Sequence, residues 1–179
     1  MSENRVDPTV AGLFLVALIT LIFGILGIDL FNDLSNNGLL TGAAMPFIPL
    51  LSAIFIVLAY MAGKAGNAFA TALFVYVAVA LYGVIVAFTM GSAVGDAIML
   101  ALAFFFLMFT LVAFMIGAPK LLGFLLLCVT LLYLFVSIFI NQGGDDEPYA
   151  IAFGIFGILA FLISSYLAIA LATQKLPVI

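Results

Sequence analysis

The feature that most constrains this chain is a series of six long apolar blocks, each cut from the next by charges and turn residues. They run over residues 10–28, 39–61, 68–90, 97–116, 121–140 and 149–172. A helix needs about 20 apolar residues to cross roughly 30 Å of hydrocarbon, and each block is of that order. The breaks are equally plain. Asp29 to Gly38 holds Asn32, Asp33, Ser35, Asn36 and Asn37, and the second break is Gly63-Lys64-Ala65-Gly66-Asn67. Gly91-Ser92, followed by Asp96, forms the third, Gly117-Ala118-Pro119-Lys120 the fourth, and Asn141 to Pro148 the fifth. Runs of short alternating strands do not occur in the sequence, so helices rather than a barrel would satisfy the backbone in lipid. The expected fold class is all-α: a polytopic membrane protein with a single six-helix domain over residues 1–179.

Composition supports this. The 179 residues are 68% hydrophobic and 7% charged, whereas a soluble domain is roughly half apolar and a quarter charged. Four basic and eight acidic residues serve the whole molecule, so most of its surface must face lipid. The first block is too long for a signal peptide and precedes no small-residue cleavage site, so it reads as a mature helix. Cys128 is the single cysteine, lies in an apolar run and has no histidine anywhere to join it. Disulfide and metal-cluster readings therefore fail. A net charge of −4 without a basic patch argues against nucleic acid as a partner; the bilayer is the expected one.

Orientation follows from the basic residues. Arg5 precedes the first block, Lys64 separates the second and third, Lys120 separates the fourth and fifth, and Lys175 follows the sixth. With six spans all of them fall on one side. The opposite loops hold Asp29, Asp33, Asp96, Asp145, Asp146 and Glu147 instead. Both termini are thus expected in the cytoplasm. Pro46 and Pro49 fall inside the second block, where each removes a helical donor and predicts a kink or a late start.

Charge inside the membrane would mark a functional site, and the blocks contain none in mid-span. Asp29 and Asp96 sit at block edges and read as solvated. Nucleophile–base pairs, phosphate-binding loops and cofactor motifs are missing as well, so neither enzymatic activity nor a cofactor is expected. What remains is a path lined by neutral groups: Thr20, Ser52, Asn67, Thr71, Tyr76, Thr130, Ser137 and Asn141 are the candidates. Intramembrane Ser and Thr mostly bond their own backbone. Asn67 differs, because an amide at a helix start can cap it or donate to a carboxylate.

Gly66-Asn67-Ala68-Phe69, followed by Phe74, resembles a signature of the acetate uptake transporter family, the succinate–acetate permease type. Its Gly-Asn-x-Phe-x-x-x-x-Phe pattern opens the third span and matches here at all fixed positions. Ahead of the first span, Pro8 and Gly12 match the family's Asn-Pro-Ala-Pro-Leu-Gly within Asp7-Pro8-Thr9-Val10-Ala11-Gly12. Gly117 with Lys120, Ser165-Tyr166-Leu167-Ala168 and Leu176-Pro177 are similar to later parts of the pattern. The resemblance implies a six-helix protomer in a homo-hexamer, each protomer with its own path for acetate, related small monocarboxylates and succinate. It places the constriction near Val16, Val77 and Val129, where the family has aromatic and aliphatic residues, with Tyr76 beside the family's tyrosine; Phe74 of the motif joins the neutral candidates Thr20, Asn67, Tyr76 and Thr130 as the expected path. The apolar run Phe23 to Ile28 and Ala62 also depart from the pattern, and these departures bear on substrate choice and gating.

Three functions fit the sequence. The first is transport of acetate-like monocarboxylates, channel-like or proton-coupled. The second is a channel for a small neutral solute such as urea or a short amide, and the third a structural membrane subunit without a path.

Overall fold

The computed structural model describes residues 7–29, 47–89, 92–143 and 147–174. They form six α-helices, α1 Pro8–Asp29, α2 Phe47–Lys64, α3 Ala68–Thr89, α4 Ser92–Met115, α5 Lys120–Asn141 and α6 Glu147–Thr173. All six are long and apolar enough to cross a membrane, and the chain is a multi-pass helical membrane protein. Residues 39–46 of the expected second span, Pro46 among them, lie outside the described residues. So do Met90 of the third span, Arg5, Lys175, Asp33, Asp145, Asp146 and the tail pair Leu176-Pro177. Pro49 stands in the first turn of α2, where its missing N–H would have had no intrahelical partner.

Two of the turns are set by glycine. Gly66 after α2 has φ +78°, and Asn67 N–H reaches Ala62 O at 3.0 Å while Gly66 N–H reaches Gly63 O at 3.0 Å. After α4, Gly117 has φ +68°, with Ala118 N–H on Ala113 O at 3.0 Å and Gly117 N–H on Phe114 O at 3.3 Å. This paired closure satisfies the last carbonyls of each helix and requires a residue that tolerates left-handed backbone. The short Gly-containing breaks read from the sequence are these two turns.

The fourth helix begins at Ser92, ahead of its apolar edge at Ala97. Asp96 therefore lies within α4 and not in a solvated loop. It is half-buried, and its carboxylate accepts a hydrogen bond from Ser137 Oγ on α5.

Each helix packs against its neighbours in sequence, and α1 closes the ring on α6. That closing seam is built from glycines. A Cβ on Gly27 would lie 2.5 Å from Gly154 Cα and 2.7 Å from Ala150 O, and one on Gly157 would lie 2.6 Å from Gly24 N. Lipid tails are as apolar as the helices, so association depends on close van der Waals contact rather than on hydrophobic expulsion. Aromatic pairs fill the inside of the ring, Phe55 against Phe74 at 5.9 Å and Phe139 against Phe153 at 5.7 Å between ring centres. Phe14, Leu18, Leu50, Ile56, Phe104 and Phe105 point outward, as a lipid-facing surface requires.

Candidate solute path

Between α1, α3, α4 and α5 lies a cavity of about 50 Å³. Measured the same way, one water occupies about 10–15 Å³, so the space accepts a solute of a few heavy atoms. Leu13, Val16, Ile19, Thr20 and Phe23 come from α1, and Leu73, Phe74, Val77 and Leu81 from α3. Phe106 comes from α4, and Leu122, Leu125, Leu126, Val129, Leu132 and Tyr133 from α5. On each long helix these positions recur every three or four residues, so each presents one continuous face to the cavity. No lining residue carries a charge. Thr20 and Tyr133 supply the polar side-chain atoms of the wall.

Val16, Val77 and Val129, far apart in sequence, border this one space, and Thr20 and Phe74 border it with them. The Thr20 hydroxyl donates to Val16 O at 2.8 Å and to Ala17 O at 3.1 Å, so its proton stays within its own helix and its lone pairs remain.

Asn67, Tyr76 and Thr130 do not line the cavity. Asn67 is exposed, and its Oδ1 accepts from Ala70 N–H at 3.0 Å: it caps α3. The Tyr76 hydroxyl donates to Leu102 O on α4 at 3.0 Å, with its ring packed on Phe106 at 4.9 Å and on Phe109 at 5.5 Å. Thr130 is buried and donates to Leu126 O at 2.9 Å. The other neutral candidates divide in the same way. Thr71 bonds Asn67 O on the preceding turn, Asn141 is exposed at the end of α5, and two serines join helices. Ser52 donates across to Ala78 O on α3 at 2.8 Å, and Ser137 reaches Asp96.

The matched sequence pieces meet in space. A Cβ on Gly12 would fall 2.3 Å from the tip of the Phe74 ring, so this glycine, inside α1, makes room for the phenylalanine that ends the Gly66–Phe74 motif. Phe69 turns instead to α4, edge-on to Phe109 at 6.0 Å. The motif therefore makes a turn, a cap and two packing contacts, and only Phe74 among its fixed residues reaches the cavity.

Sequence reasoning passed over Tyr133, Phe106 and Phe23. Tyr133 lies one helical turn beyond Val129, so following the face of α5 through that valine would have reached it. Among the described residues no group of three or more His, Cys, Asp or Glu could hold a metal ion.

Ring closure, six membrane-length helices and an internal apolar cavity define a helical membrane protein with a solute-sized space between its helices. The same fold occurs in a solved structure of the bacterial acetate channel SatP. The two superpose with a TM-score of 0.81 over 98% of this chain and 99% of that chain, at 15% sequence identity. The likeness is one of fold. No family model matches the sequence, and the comparison with curated proteins gives no match.

Proposed function

We propose that this protein passes acetate and related small monocarboxylates across the plasma membrane by a channel-like route through the cavity between α1, α3, α4 and α5. The observation that carries the reading is the convergence of Val16, Val77 and Val129 on one solute-sized apolar cavity, in a fold shared with an acetate channel. In this reading the three valines form the neck, and Thr20 and Phe74 border the solute beside it. Asn67, Tyr76 and Thr130 act on the path at one remove, through the helices they fix. Valines where the resembling family has bulkier side chains make a wider neck, which favours passage of monocarboxylates longer than acetate and of the dicarboxylate succinate. Both termini lie in the cytoplasm, and protomers assemble as a homo-hexamer with one path each.

Uptake of labelled acetate by proteoliposomes tests the proposal. Flux well above empty vesicles, competed by propionate, is expected; flux equal to empty vesicles overturns it. The uncharged wall also suits a neutral solute. Urea permeation that acetate does not compete would select that reading, and no flux for any small solute would leave a structural subunit.

A further inference from the structure

Tyr133 sits in the uninterrupted apolar run of α5, where it reads as one more core aromatic. Its ring is fixed from two sides. It stacks on Phe106 with 5.4 Å between centres and 7° between planes, and it tilts against Phe23 at 6.2 Å and 60°. All three border the cavity, and Tyr133 is only 5% exposed.

A phenol buried to that degree ordinarily finds an acceptor for its O–H. The other hydroxyls buried among the described residues do so, Ser52 on Ala78 O, Thr110 on Phe106 O, Thr130 on Leu126 O and Ser164 on Ala160 O among them. Tyr133 has no hydrogen-bond partner among the described residues. Yet no fully enclosed side-chain oxygen among those residues lacks a partner. The Tyr133 oxygen must therefore border open space, and the space its side chain borders is the cavity. Thr20, the other hydroxyl there, has its proton engaged by Val16 O and Ala17 O and can only accept. The wall thus offers one uncommitted donor.

The geometry points to Tyr133 as the specificity-determining hydroxyl of the path: its O–H donates to a carboxyl oxygen of the permeating monocarboxylate, and Thr20 Oγ1 is the acceptor for the proton of the acid form. The inference rests on the monocarboxylate reading above. An apolar cavity without a free donor holds no carboxyl group in preference to a hydrocarbon of the same size, because leaving that group unpaired in a low-dielectric site is costly. One hydrogen bond supplied there reverses the preference, and the stacked ring holds the donor in place without further ordering. No bond is made or broken in this step.

The test is initial-rate acetate uptake in proteoliposomes of wild type, Tyr133→Phe and Tyr82→Phe. Tyr133→Phe keeps the ring and removes only the oxygen. Its KM for acetate is expected to rise about tenfold, the loss typical of a hydrogen bond to a charged or strongly polar group, with oligomer size and melting temperature unchanged. Tyr82, on the outer surface at 52% exposure, is expected to keep the wild-type KM when its oxygen is removed. An unchanged KM in Tyr133→Phe overturns the inference. So does a variant that fails to assemble, since a hydroxyl bonded to nothing in the fold has no packing to lose. Wild-type vesicles without acetate flux would instead remove the transport reading, and the inference with it.

Discussion

Asn67 is where residue chemistry and residue position diverge most. Its amide could serve a carboxylate solute as well as a helix end, and the hydrogen bond to Ala70 N–H commits it to the helix end. Asn67→Ala is expected to lower stability by about 1 kcal/mol, the usual worth of such a cap, while Asn67→Asp keeps the acceptor and the stability. Thermal unfolding of the detergent-solubilised protein reads the difference. Val77 presents the opposite case, a side chain with no chemistry whose position on the cavity wall gives it a role. A phenylalanine there must enter a space of about 50 Å³ or push its neighbours aside. Val77→Phe is expected to reduce acetate uptake severalfold with assembly intact. An unaltered rate would locate the neck elsewhere.

Helices in this bundle are joined by two kinds of contact. Polar ones are few and directed, Ser52 to α3, Tyr76 to α4 and Ser137 to Asp96; each links a pair of adjacent helices and fixes their rotation. The seam between α1 and α6 is built on close fit of glycine against glycine. Alanine is the better helix former by about 1 kcal/mol, so in a helix without neighbours Gly27→Ala would stabilise. Here its Cβ would meet the backbone of Gly154 at 2.5 Å, and backbone cannot rotate away. A net loss of about 1–3 kcal/mol is expected, in the range for overpacked cores, measured as a drop in melting temperature. A gain in stability would mean that the seam is looser than described. Gly12 and Phe74 apply the same rule at the cavity wall, where a small residue on one helix admits a ring from another.

For the whole molecule, an uncharged path has consequences for pH. A carboxylate stripped of water without a cationic partner is strongly disfavoured, so the neutral acid is the species suited to the neck. Acetic acid titrates near the carboxyl range of about 4–5. Raising pH above that range lowers the acid fraction tenfold per unit, and uptake at fixed total acetate is expected to fall with it. Uptake that stays level between about pH 6 and about pH 8 (roughly 1–4 units above the carboxyl pKa) would favour passage of the anion. Orientation is checked in cells rather than in proteoliposomes. Cysteines introduced at Lys64 and Lys120, in a Cys128→Ser background, are expected to resist a membrane-impermeant maleimide added outside intact cells. One at Gln142 should react, and labelling of all three positions would contradict the assigned topology.

How much of this was legible in the sequence depends on the range of the interaction involved. Six spans could be read directly because the cost of bringing unpaired backbone or charge into lipid acts on every segment by itself. The turns at Gly66 and Gly117 were equally local, each needing one residue with left-handed backbone. Asp96 was misjudged because the edge of an apolar run is not the edge of a helix: the residue that draws the carboxylate into α4's surroundings, Ser137, lies on another helix. The division among the neutral candidates was out of reach for a similar reason. Nothing in the run around Thr20, Tyr76 or Thr130 says which of them faces a cavity, since all three sit in unbroken apolar helix and all three bond a carbonyl. Rotation of each helix about its axis settles that, and the rotation is fixed by contacts such as glycine on glycine between α1 and α6 and by the serine and tyrosine bridges. The sequence by itself determined a six-helix membrane chain with uncharged spans. The family resemblance grouped Val16, Val77 and Val129, but only the tertiary structure put them around one cavity and brought an unpaired Tyr133 hydroxyl to its wall, because a cavity belongs to several helices at once and is encoded in none of them alone.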